Sequence, residues 1–424
     1  MIRFLLLGIL RDRSRSLFPL IVIIVGVALT VILQTWLSGM LDNMIQSSAN
    51  FMTGHSKITT RAYAAEAQQM PNDLALLGAD SLIAAAAGEF PEMIWTPRIR
   101  FGGLLDLPDS SGETRAQGPV FGTAVDLFNP ASPEPKLLNL AKALVRGRLP
   151  QYPGEILISE DFSRKLGIEP GDTATLLSVT MYGSMAWYNF TIAGTIRFGV
   201  VAMDRGAMIA DIHDIRKALD MEDAAGEILG FFRDFQYNQT RAGEIAADFN
   251  RHYSDPDDEF SPLMKTLREQ NNLASLIDVL SWALGGIITI FLLVMFIVLW
   301  NAGLMGSLRR YGEIGVRLAI GEDRGHLYRS MLYESVILGI LGSLLGTALG
   351  LAVSYYLQHQ GIDIGSLIKN SSMMFSSVLR ARITPLSYII GFLPGVLATV
   401  LGTAVSGIGI YKRQTSQLFK ELET

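Results

Sequence analysis

Four apolar runs constrain this chain more than anything else in it: Leu17 to Met40, Leu276 to Gly303, Met331 to Leu357 and Leu386 to Ile410. Each exceeds the roughly 20 residues that an α-helix needs to cross about 30 Å of hydrocarbon. They account for a mean hydropathy of +0.31 in a chain of 424 residues with 18% charged side chains. Between the first and second runs lies a polar segment, Leu41 to Ser275, long enough for one or two compact lobes with cores of their own. The expected fold class is an α-helical membrane protein of four transmembrane helices, with a large α+β domain inserted between the first two.

Lys and Arg near the ends of the runs set the orientation. Arg3, Arg11, Arg13 and Arg15 precede the first run, Arg309, Arg310, Arg317, Arg324 and Arg329 precede the third, and Lys412, Arg413 and Lys420 follow the fourth. With four spans these segments share one side, and their basicity makes it the cytoplasm, with both termini there. Lys369, Arg380 and Arg382 on the far side weaken the bias, but the inserted segment restores it. It carries 20 Lys and Arg against 31 Asp and Glu, a net of −11 that leaves +6 elsewhere. There is no Cys, so no disulfide braces the outer domain.

The layout expected along the chain begins with a cytoplasmic interfacial helix at 1–16, the first span at 17–40 and the outer domain at 41–261. A stalk helix continuous with the second span follows at 262–303, since Leu263, Leu267, Leu273 and Leu276 keep helical spacing without a breaker. A cytoplasmic segment at 304–330, the third span at 331–357, an outer loop at 358–385, the fourth span at 386–410 and a cytoplasmic tail at 411–424 complete it. Inside the domain, HSKITT and MIWTPRIRFGGLL read as strands, Asp73 to Gly88 as a helix, and Leu105 to Leu140, rich in Pro, Gly and Ser, as a surface loop. Glu155 to Ser159 reads as a strand leading into a helix capped at Ser159 or Asp161 and stopped by Gly167. Thr173 to Val179 and Trp187 to Ile196 form a hairpin whose tip gathers Met181, Tyr182, Met185, Trp187 and Tyr188. That much soft apolar surface on a turn either packs on the rest of the domain or meets a substrate or carrier. His213 to Leu219 and Arg241 to His252 are helices around a strand near Ile228 to Phe235.

Enzymatic chemistry finds little to stand on. No G-x-x-x-x-G-K-[ST] loop is present, so nothing here cradles a nucleotide phosphate. The five His never stand at metal-ligand spacing, and no G-x-S-x-G elbow occurs. Gly342, Gly346 and Gly350 recur every four residues in the third span, a stripe that lets another helix approach closely. Glu334 lies two turns earlier on about the same face; it either pairs with Arg329 or Arg324 at the interface or serves transport. Gly391, Pro394 and Gly395 predict a kink in the fourth span. Before the third span, RRYGEIGVRLAIG reads as a short helix, with Ile314 and Leu318 on one side and Arg310, Glu313 and Arg317 on another.

The run YGEIGVRLAIGEDRGHLYRSMLYESVILGILGSLLGTALGL resembles the signature region of FtsX/MacB-type ABC permeases at Glu313, Ile314, Gly315, Arg317, Ala319, Gly321, Arg329, Glu334, Gly342, Gly346 and Gly350. TGHSKIT, GRLP…GEILISEDFSRKLGIEPGDTATLL and FTIAGTIRFG resemble the periplasmic core domain of the same superfamily. Without a fused ATPase, the layout resembles the separate permeases of the lipoprotein-releasing group, although the tail lacks the usual P-x-x-A-L-R ending. The resemblance implies a non-catalytic subunit in a bacterial inner membrane, holding no cofactor itself, with ATP and Mg on a separate cytoplasmic ATPase. It implies a dimer with a second copy or a paralogue, contact with membrane lipids and not with nucleic acid, and coupling through Glu313, Ile314, Gly315, Arg317, Leu318, Ala319 and Gly321. The load would be a lipoprotein, lipid or other amphiphile, passed to a periplasmic carrier; the alternative is an FtsX-like regulator that transmits force to a cell-wall hydrolase.

Overall fold

A computed structural model describes residues 13–109, 111–199, 201–270, 272–308, 311–363 and 378–408. Of the expected interfacial helix at 1–16 only 13–16 are among them, and the tail at 411–424 and half of the loop at 358–385 lie outside them. The chain divides into two compact units: Met44–Ile277 with Asp363–Val378 is one, and the remainder, which holds most of the apolar helices, is the other.

Among the described residues four helices are long and apolar enough to cross a membrane: Leu17–Thr53, Leu273–Met305, Arg324–Gln360 and Pro385–Gly407. Within the helical unit Ile23, Val27, Leu299 and Ala398 form a buried seam from the first, second and fourth spans. Polar side chains staple the apolar interior. Thr35 and Ser354 hydroxyls lie 2.7 Å apart, Gln34 Nε2 donates to Thr384 Oγ1 at 3.0 Å, and Ser387 Oγ donates to Gln34 Oε1 at 2.6 Å. Mutual satisfaction makes such groups tolerable where no water competes. The fourth span is broken as Gly391, Pro394 and Gly395 predicted: a 3-10 turn at Pro385–Tyr388, a π segment at Leu393–Ala398, then α-helix Thr399–Gly407. Pro394 has no N–H to give, and Thr399 Oγ1 supplies one donor to the Gly395 carbonyl at 2.8 Å.

The domain is built on one ten-stranded mixed sheet. Its strands are β1 (Ser56–Thr60), β2 (Met93–Pro108), β3 (Thr114–Val125), β4 (Leu144–Gly147), β5 (Glu155–Ser159), β6 (Thr173–Val179), β7 (Met185–Ile196), β8 (Ala207–Asp211), β9 (Glu227–Phe232) and β10 (Pro262–Thr266). They run in the order β10-β1-β9-β2-β3-β8-β5-β7-β4, with β6 bridging β2 and β7. Helices α1 (Ala79–Glu89), α2 (Glu160–Leu166), α3 (Ile212–Ala218) and α4 (Gln239–Tyr253) cover it. In α4, Ala242, Ile245, Ala246 and Phe249 repeat at i, i+3, i+4 and i+7 and are buried with Trp95 and Ile58. Ser159 caps α2 by accepting from the Phe162 N–H, and Gly167 ends it at φ +65°.

Three expectations are corrected. Thr114–Val125 is a strand, not part of a loop, and Leu137, Leu138 and Leu140 beyond it are buried. Its glycines serve packing rather than turning: a Cβ on Gly118 would stand 2.8 Å from the Phe162 ring, and one on Gly122 would enter the Phe101 ring. Pro119 is tolerated because the parallel pairing with β8 starts only at Phe121. The stalk does not begin at Pro262. Pro262–Thr266 pairs antiparallel with all five residues of β1, a Thr266–Glu269 capping box turns the chain, Asn272 sits at φ +56°, and helix resumes at Leu273. The domain therefore extends past residue 261. Finally, the helix expected at Asp73 to Gly88 starts at Ala79, after a 3-10 turn at Asn72–Leu74.

Candidate functional site: an inter-span helix, a glycine seam and an apolar groove

The stretch between the second and third spans folds as a nine-residue helix, Tyr311–Ala319. Its end is locked by a Schellman motif: the Glu322 N–H donates to the Arg317 carbonyl at 3.1 Å and the Gly321 N–H to the Leu318 carbonyl at 3.1 Å. Gly321 takes φ +99° there and nothing lies within 4 Å of its would-be Cβ, so the need for glycine is conformational. Two residues later Asp323 caps the third span by accepting from the His326 N–H at 3.1 Å. One helix ends and the next begins within four residues, which fixes the exit of the first. Gly315 is buried and Leu318 half-buried, while Val316, Arg317 and Ala319 are exposed, and Ile320 just past the helix is 82% exposed. The side chains of Glu313 and Ile314 lie outside the described residues. Val316 and Ile320 were not singled out from the sequence, where they look like ordinary helix filler.

The glycine stripe does what its spacing suggests, and its partner is the first span. A Cβ on Gly342 would stand 2.5 Å from Ile23 Cγ2, one on Gly346 2.7 Å from the Ile24 carbonyl oxygen, and one on Gly350 2.8 Å from Val31 Cβ. From the other side, a Cβ on Gly391 of the fourth span would meet Val27 at 2.5 Å. Glu334, five residues before Gly339, is half-buried and not without a partner. The second span is the exception: Trp282, Ile290, Leu293 and Ile297 are exposed along most of its length.

In the domain, the hairpin β6–β7 pairs Val179 with Met185 and Leu177 with Trp187. Its turn is closed by the Thr180 N–H donating to the Ser184 carbonyl at 2.8 Å, with Gly183 at φ +83°. The five tip residues separate into two groups. Met181 is buried in the core, its N–H donating to the Leu219 carbonyl at 2.9 Å, and the Tyr188 ring lies tilted against Phe190, centroids 4.8 Å apart. Burial and the Asp214 carboxylate push the Tyr188 phenol up. Tyr182, Met185 and Trp187 are 72%, 65% and 65% exposed. They do not fold back on the domain. Beside them a groove of about 720 Å³ is floored by Gly102 and Gly103 of β2 and walled by Met70 and Pro71. Sequence reading missed those walls because they join through the β2–β6 pairing, in which Leu104 faces Leu177. Among the described residues no three His, Asp or Glu gather as a metal cluster.

Among the described residues, four long apolar helices meet at glycines, and a separate unit carries the α/β domain. Residues 285–415 match the model of the FtsX-like permease C-terminal family. The chain is 24% identical over 233 residues to the lipoprotein-releasing system transmembrane protein LolC of Xylella fastidiosa, covering 53% of this chain and 54% of LolC. It is 36% identical over 100 residues to the macrolide export ATP-binding/permease protein MacB of Wolinella succinogenes, covering 22% of this chain and 16% of MacB. It thus spans about half the length of the LolC relatives, and less of MacB. The periplasmic region of MacB from Actinobacillus actinomycetemcomitans aligns at 11% identity over 53% of this chain and 94% of its own, with a TM-score of 0.36, too low to carry an argument. Residues 285–415 thus resemble the FtsX-like permease C-terminal family, and parts of the chain are similar to LolC and MacB.

Proposed function

We propose that this chain is the membrane subunit of an ABC transporter that converts ATP hydrolysis on a separate cytoplasmic ATPase into movement of the outer domain, which extracts a lipoprotein or another amphiphile. The observation that carries the reading is the helix Tyr311–Ala319, held by its Schellman turn, with Val316, Arg317 and Ile320 offered to a partner. An apolar pair beside a cation fits a protein groove better than it fits water. The names of the LolC and MacB relatives support the load, and Tyr182, Met185 and Trp187 beside their groove are the contact for it or for a periplasmic carrier. The exposed second span supports a dimer, through a second copy or a paralogue. Arg317→Glu tests the coupling: ATPase stimulation in membranes should fall about ten-fold, the loss of roughly one charge-assisted contact, while the chain remains inserted. Unchanged stimulation would contradict the reading.

A further inference from the structure

The domain holds a second cavity, of about 410 Å³, unrelated to the hairpin groove. Its wall is one face of the sheet. Lys57 on β1 stands opposite Lys265 on β10 and opposite Leu229 on β9; Glu227 lies two residues from Leu229, opposite Arg98 on β2, with Arg100 two further on. The two-residue period puts all five charged side chains on that face. Opposed like charges such as Lys57 and Lys265 destabilise a sheet unless something compensates them. Arg98 is taken up by Glu134 at 2.7 Å, which leaves Lys57, Lys265 and Arg100 around Glu227. Glu227 lies 2.9 Å from Lys57 Nζ and 3.9 Å from Arg100 Nη1. Lys57 is buried, and that burial pushes its ammonium down against the pull of Glu227. With Glu269 also lining the cavity, three cations face two carboxylates, a surplus of one positive charge inside a domain of net −11.

The same cavity holds two buried acceptors without a hydrogen-bond donor, Glu227 Oε1 and Gln270 Oε1. Gln270 is fixed in orientation, because its Nε2 donates to the carbonyls of Thr53, Lys265 and Thr266 at 3.1, 3.3 and 3.2 Å. The site therefore calls for an anion and an N–H donor together. Ser48 and Leu273, at the domain ends of the first and second apolar helices, complete the lining.

We propose that this pocket binds a phosphoethanolamine group, its phosphate held by Lys57, Lys265 and Arg100 and its primary ammonium donating to Glu227 and Gln270. The group can come from a bilayer phosphatidylethanolamine or from a soluble compound. The site does not depend on the coupling reading above.

Native mass spectrometry of the full chain in detergent, offered equal amounts of phosphatidylethanolamine, phosphatidylcholine and phosphatidylglycerol, tests it. Phosphatidylcholine has the phosphate without an N–H donor, and phosphatidylglycerol has the anion without the ammonium. About ten-fold preferential retention of phosphatidylethanolamine, a contact or two of charge-assisted strength, assigns the site to the lipid. Binding of free phosphoethanolamine without lipid preference assigns it to a soluble ligand. Lys265→Gln and Arg100→Gln, both at partly exposed positions, should each weaken either kind of binding with the thermal transition unchanged. Equal retention of the three lipids with no binding of free phosphoethanolamine overturns the proposal, as does binding untouched by both variants.

Discussion

At the scale of single residues, His55 makes the domain's stability depend on pH. It is buried among Phe231, Phe232 and Tyr237, with Nδ1 accepting from the Phe232 N–H at 3.0 Å. Burial pushes its pKa down to about 4, against the opposing charge of Asp234. The unfolded chain takes up a proton near pH 6.5 and the folded chain not until about 4, so stability is full above 6.5 and declines as pH falls through that window. The loss is on the order of 3 kcal/mol by pH 4, and thermal unfolding of His55→Phe should show a flatter profile between pH 7 and 4 than the parent. Gly346 makes a different prediction. With the Ile24 carbonyl 2.7 Å from its would-be Cβ, Gly346→Val forces two helices apart, at about 1–3 kcal/mol. Gly285→Ala in the second span has nothing within 4 Å and should be close to neutral; denaturant titration in detergent compares the two.

At the scale of elements, the joint after the first span is held by a buried bidentate pair. Arg98 Nε and Nη2 donate to Glu134 at 2.8 and 2.7 Å, and Nη1 and Nη2 also reach the carbonyls of Phe51 and Asn50 at 3.1 and 2.7 Å. These carbonyls lie in the π turn Ala49–Thr53 that follows helix Arg13–Ser48. Arg98→Met leaves Glu134 charged and buried, and should cost about 3–5 kcal/mol, readable as a lower unfolding midpoint. Glu134 lies within the segment expected to be a surface loop. Much of the rest was legible, for identifiable reasons. The β6–β7 hairpin, the Ser159 cap and the Gly167 stop are local patterns in which turn chemistry and alternation agree. Strand β3 was not legible, since Gly118 and Gly122 look like turn residues until the Phe162 and Phe101 rings are seen to occupy the space of their side chains. The i, i+4 spacing of Leu263 and Leu267 suits a helix, but β1 offers a strand partner that no local pattern announces.

At the scale of the whole molecule, the glycine stripe was visible as a motif, but its partner, the first span, lies some 320 residues away in sequence. The helix between the second and third spans was visible through its charged, Gly-punctuated composition between two apolar runs, and the structure added its fixed end at Gly321 and the exposure of Ile320. Gly321→Ala, which must hold φ +99° with a Cβ, should loosen that end by about 1 kcal/mol and weaken coupling more than it weakens insertion, read as ATPase stimulation per inserted chain. A chain without Cys allows the central claim, that the Tyr311–Ala319 helix drives the outer domain, to be tested directly. An environment-sensitive fluorophore on Trp187→Cys in proteoliposomes with the ATPase subunit should change its emission on ATP addition, and the change should vanish when Ile320→Asp is added. A signal that persists unaltered in the double variant would contradict the account.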